Sequence, residues 1–208
     1  MIKAFVEGCL DKAVVESLVN RIGISVDVEI AGGSYAPLEQ AVGESKGLGK
    51  CFLIAIDSDF KKTDKISRLE KLMEENGIEI IRSNVNVSDV LSYYVAKVNK
   101  KYVAFVVMFW EPELEDVLWK SLEEIGCKGP KLPECCNERR RQKLYRKLEC
   151  VTTILCLAGE GTLVADGSKC GFNVRRALNK ADLFRTETLK RYVEGLRKTL
   201  NELKELCN

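Results

Sequence analysis

The stretch CFLIAIDSDF, residues 51–60, runs six residues without a charge and then presents Asp57 and Asp59 with one small residue between them. An unbroken apolar run reads as a strand buried on both faces, which is how strands of a parallel sheet sit. Working back toward the N-terminus, IKAFVEG (2–8) alternates into a strand closing at Glu7 and Gly8. DKAVVESLVNRIG (11–23) then predicts a helix with Asp11 as its cap, a buried stripe of Val14, Leu18 and Ile22, and a stop at Gly23. SVDVEIAGG (25–33) reads as a second strand, and a polar, Gly-rich stretch follows, with a short helix near PLEQAVGES (37–45).

Working forward, KISRLEKLMEENG (65–77) predicts a helix, IEIIRS (78–83) a strand, VSDVLSYYVAKVN (87–99) a helix, and YVAFVVMFW (102–110) a fifth strand. ELEDVLWKSLEEIG (113–126) adds another helix. Strand and helix alternate, so the expected fold class is α/β: a mostly parallel, Rossmann-like sheet flanked by helices. The character changes near residue 128, where Gly, Pro and then many basic residues appear. The expected division is therefore an α/β domain over 1–127 and a basic, mainly helical region over 128–208, with helices at about 135–158 and 173–206. Leu183, Leu189, Val193 and Leu196 are its expected core, and Trp110 and Trp119 are expected to be buried.

The net charge of +2 conceals an asymmetry. Residues 1–127 carry 15 Lys and Arg against 21 Asp and Glu, whereas residues 128–208 carry 18 against 10. An acidic front half suits the gathering of cations and a basic back half suits an anionic partner. ERRRQKLYRK (138–147) places Arg139, Arg140, Arg141, Lys143, Arg146 and Lys147 within about three helical turns, a density that fits contacts to nucleic-acid phosphates. A solvated surface helix pairing with the acidic half is the competing reading.

No apolar run approaches the roughly 20 residues of a membrane span, and the chain opens on a strand rather than a signal peptide, so a cytoplasmic protein with no membrane partner is expected. The nine cysteines form no CxxC pair and the chain has no His, which argues against a zinc site. They read as small buried thiols, with one or two disulfides in the C-terminal region open to a chain whose Lys, Glu and Ile content fits a thermophilic, archaeal-like source.

In a parallel α/β sheet, function gathers at the carboxyl ends of the strands. Glu7 ends the first strand, and Asp57 and Asp59 end the third. Residues at i and i+2 project to the same side of an extended chain, so the two aspartates can share one hard cation, Mg²⁺ or Mn²⁺, which favours oxygen ligands. The bland alternative has Asp57 capping the following helix, Asp59 in solvent and Glu7 paired with Lys12.

FVEGCLDKAVVESL (5–18), followed some 45 residues later by LIAIDSDF (53–60), resembles the Toprim domain, the catalytic unit of topoisomerases, bacterial-type primases and OLD-type nucleases. Its hallmarks, EGxxD after the first strand and DxD after the third, stand here in order, and the resemblance spans about residues 1–125. It implies that Asp57 and Asp59 are metal ligands, that Glu7 is a ligand or general acid/base at the scissile phosphate, and that Asp11 is an accessory acid. Small stand-alone members also carry a Glu after the last strand. EPELEDVLW (111–119) offers Glu111, Glu113 and Glu115 there, with Glu115 preferred.

The chain departs from the larger members. No second domain supplies a tyrosine nucleophile, Tyr93 and Tyr94 are expected to pack, and GESKGLGK (43–50) only imitates a P-loop. The resemblance thus implies a stand-alone, metal-dependent nuclease acting on DNA or RNA, as in DNA repair. The alternatives are a non-catalytic scaffold that binds nucleic acid or a processing partner, and a haloacid-dehalogenase-type phosphatase, whose DxD would belong on the first strand. An open sheet also leaves room for a homodimer.

Overall fold

The computed structural model describes residues 2–47, 51–126, 175, 178 and 182–207. The apolar run is indeed the central strand, β3 (Cys51–Asp57), with all seven residues buried. Around it the chain builds β1 (Ile2–Val6), α1 (Cys9–Ile22), β2 (Val26–Ile30) and α2 (Ala36–Glu44) on the N-terminal side. After it come α3 (Lys62–Glu75), β4 (Glu79–Ser88), β5 (Leu91–Val98), β6 (Lys101–Trp110) and α4 (Leu114–Glu124). Past the segment from residue 127, a 3₁₀ turn (Leu183–Arg185) leads into α5 (Glu187–Glu202) and the short α6 (Lys204–Cys207).

Among the described residues the six strands form one sheet in the order β2-β1-β3-β6-β5-β4. β2, β1, β3 and β6 run parallel, β5 is antiparallel to them, and β4, antiparallel to β5, runs in their direction again. Successive residues of the central strands serve opposite faces, as the strand period requires. Leu53 and Ala55 join one core with α1, α4 and α5, whereas Phe52, Ile54 and Ile56 join another with α2 and α3. The fold is therefore α/β, a mostly parallel mixed sheet between two helical layers, with a C-terminal helix in one of them.

One expected helix is a strand. The segment 87–99, predicted to be a helix, forms β5 in a hairpin with β6, although its Leu91, Tyr94, Val95 and Val98 also recur at helical spacing. Its period is two: Leu91, Tyr93 and Val95 face one core, Tyr94, Ala96 and Val98 the other. The register pairs Val98 with Lys101, so Asn99 and Lys100 alone make the turn, and both have positive φ, 48° and 67°. A two-residue loop joins antiparallel strands only, and its twist calls for positive φ at both positions. The strand expected over 78–83 instead spans Glu79–Ser88, in a hairpin with β5.

Two smaller corrections concern helix ends. Asp11 does not cap α1; the helix starts at Cys9 with Gly8 at the cap, and Asp11 lies buried in the first turn. The helix expected over 173–206 is broken before Glu187, where Thr186 is extended and its hydroxyl accepts from the Leu189 amide. The expected core residues of this region, Leu183, Leu189, Val193 and Leu196, are all buried, as are Trp110 and Trp119. Gly195 lets α5 lie on β5, since a Cβ there would stand 2.6 Å from Leu91 Cδ1. A disulfide joins Cys51, at the start of β3, to Cys207 at the end of α6. The 127/128 boundary, the helix expected near 135–158 and the basic cluster from Arg139 to Lys147 lie outside the described residues. Among those described, no helix is long and apolar enough to cross a membrane.

Candidate metal centre

β1, β3 and β6 are adjacent and parallel, so Val6, Asp57 and Trp110 end at the same edge and the residues after them meet. The tips of β3 and β6 are laced together. The Ser58 amide donates to the Trp110 carbonyl at 2.8 Å, the Asp59 amide to the Pro112 carbonyl at 2.9 Å, and the Ser58 hydroxyl to Glu111 Oε1 at 3.1 Å. This lacing turns the chain through the cis Glu111–Pro112 bond and brings the start of α4 back over β3.

The result is a group of three carboxylates. Asp57, Glu113 and Glu115 each offer an oxygen within 4.8 Å of the others, and Asp57 and Glu115 are buried. Asp57 is held from two sides: its Oδ1 accepts from the Leu114 amide at 2.8 Å, and its own amide donates to Glu7 Oε1 at 3.1 Å. Asp57 therefore does meet a helix N-terminus, as the bland reading had it, but that of α4 rather than the helix following it. Burial pushes its carboxyl up to about 7; the Leu114 amide works against this, while the charges of Glu7, Asp11 and Glu115 add to it. Crowded oxygen-only donors whose shared charge resists ionisation are suited to a hard divalent cation, and Asp57, Glu113 and Glu115 can hold one.

The remaining expected site residues surround this group. Glu7 touches it through the Asp57 amide. Asp11 accepts from the Trp110 indole at 3.0 Å, which fastens α1 to the end of β6. Lys12, the partner the bland reading gave Glu7, instead donates to the Val28 carbonyl at 2.8 Å. Asp59 and Phe60 follow β3 with positive φ, 50° and 58°, and Phe60 is 79% exposed at the rim. Asp59 accepts from Lys65 at 3.2 Å.

Sequence reasoning offered Glu113 beside the preferred Glu115 and passed over Lys65. Only the fold of the β6–α4 turn brings both Glu113 and Glu115 to Asp57. Lys65 carried no motif; it lies on α3 among polar neighbours but is 2% exposed, with its ammonium at the tip of β3. No protein-family model, no curated protein and no solved structure matches the chain.

Proposed function

We propose that the protein is a stand-alone, Toprim-like phosphodiesterase that hydrolyses nucleic acid with Mg²⁺ or Mn²⁺. The observation that carries this reading is the buried Asp57, Glu113 and Glu115 group at the carboxyl edge of three adjacent parallel strands, with Glu7 against it. Phosphodiester hydrolysis concentrates negative charge on phosphate oxygens, and a divalent ion bound there would neutralise that charge and orient the oxygens.

The residues divide the remaining work. Asp57, Glu113 and Glu115 hold the ion. Glu7, fixed by the Asp57 amide, is placed to move a proton at the attacking or leaving oxygen. Asp11 serves at one remove, through the Trp110 indole. The basic cluster Arg139, Arg140, Arg141, Lys143, Arg146 and Lys147 supplies contacts to the nucleic-acid backbone.

The test is cleavage of labelled single- and double-stranded DNA and RNA with either metal, comparing the parent with Asp57→Ala and Glu115→Gln, each checked for folding. Loss of one of three ligands is expected to cut the rate at least about 100-fold. Salt-sensitive binding without cutting would replace this reading by the scaffold alternative. Cutting that survives both substitutions would remove the carboxylate group from the reaction.

A further inference from the structure

Lys65 is the feature the proposed reaction leaves unused. Its ammonium has three N–H bonds and no acceptor, and three oxygens take them: the Asp57 carbonyl, Ser34 Oγ at 2.8 Å and Asp59 Oδ2 at 3.2 Å. Glu7 Oε1 stands 3.8 Å away as a further counter-charge, and the ammonium lies 5.6 Å from the centroid of the Tyr35 ring. Four oxygens and an aromatic face thus surround a cation that is 2% exposed. Lysine is almost never buried this far unless paired.

The shell resembles a metal coordination sphere with an ammonium at its centre. It lies on the Glu7 and Asp59 side of Asp57, whereas the three-carboxylate group lies on the Glu113 and Glu115 side. Asp57 is shared: its carbonyl faces the ammonium and its carboxylate belongs to the three-oxygen group. Because all three N–H bonds are committed to the protein, the ammonium is locked in place rather than held out to a substrate.

We propose that Lys65 is a built-in cation that fills the Glu7 and Asp59 half of the centre, so that the protein takes up one divalent ion, at Asp57, Glu113 and Glu115. The inference rests on the metal-dependent reading above and adds to it the stoichiometry and the division of the five carboxylates. Lys65 is in these terms a positioning residue: it holds Glu7 and Asp59 in place and excludes a second ion from between them.

The test counts Mn²⁺ bound by the full chain, by calorimetry and by the loss of the free-ion paramagnetic signal, without substrate. One ion is expected for the parent and for Lys65→Arg, and two for Lys65→Gln, where Glu7 and Asp59 lose the ammonium as counter-charge. Two ions in the parent, or one in a folded Lys65→Gln, would overturn the inference while leaving metal-dependent cleavage standing. No ion in the parent would overturn both. Should Lys65→Gln fail to fold, Asp59→Asn and Glu115→Gln decide independently. Asp59→Asn is expected to keep Mn²⁺ affinity within about threefold and Glu115→Gln to lower it more than about tenfold. Equal losses would sink the proposed division.

Discussion

Asp57 sits where burial and like charge work against its ionised form, and this has a measurable cost in the metal-free protein. Its folded pKa, about 7, lies above the unfolded value near 3.8. For a carboxyl shifted in this direction the native state binds the extra proton. The penalty is absent below the unfolded value, grows between about pH 4 and 7, and is fully present above pH 7. Asp57→Asn keeps an oxygen for the Leu114 amide and removes the charge. Without added metal it is expected to raise Tm at pH 8 by several degrees, corresponding to roughly 2 kcal/mol, with the gain shrinking toward pH 4. Saturating Mg²⁺ should reverse the order, since only the parent gains from binding the ion. Thermal melts at the two pH values, with and without Mg²⁺, check this, and an Asn variant less stable at pH 8 without metal would contradict it. At this scale the sequence exposed Glu7 and Asp57 because both end apolar strands. Glu113 was offered but not preferred, and Lys65 stayed hidden, because their roles depend on a turn and on a helix rotation that no local pattern encodes.

The elements divide in the same way. The parallel part of the sheet was legible because β1 and β3 are apolar runs closed by carboxylates, with helical periodicity between and after them. β5 was not, because in a segment buried on both faces the apolar residues satisfy periods of two and of 3.6 at once. What decided for the strand was Tyr93, Tyr94 and Val95, residues that suit a pleated surface, together with a turn of only Asn99 and Lys100. That turn carries a prediction of its own. Asn tolerates the left-handed region, whereas Lys at φ 67° is strained there, and Lys100 is exposed. Lys100→Gly, which creates the Asn-Gly pair favoured in such hairpins, is expected to stabilise by about 0.5–1 kcal/mol. A urea midpoint that rises with an unchanged slope would bear this out, and one that falls would argue against the register of the β5–β6 hairpin.

At the scale of the whole molecule, the two ends of the chain are tied to one sheet. β1 lies beside the central strand, and α5 covers the face shared with α1 and α4 through Leu189, Tyr192, Leu196 and Leu200. The C-terminal region is thus part of the core at its far end, which the basic composition of residues 128–208 did not suggest. The Cys51–Cys207 bridge closes the arrangement across 156 residues of sequence. In the chain-entropy account, a loop of that length removes about 5 kcal/mol worth of freedom from the unfolded state. Cys9 is disulfide-bonded as well, so the unfolded chain is already constrained and the figure is an upper bound. Reduction of the bridge, or Cys207→Ala, is expected to leave the circular dichroism at 25 °C unchanged, because the apolar face of α5 still docks the helix, while lowering Tm by roughly 10 °C. Titration of thiols in denaturant decides whether the bridge forms at all. At most five reactive thiols are expected in the untreated protein, rising to nine on reduction. Nine in the untreated protein would mean that packing alone holds the C-terminal helix against the sheet.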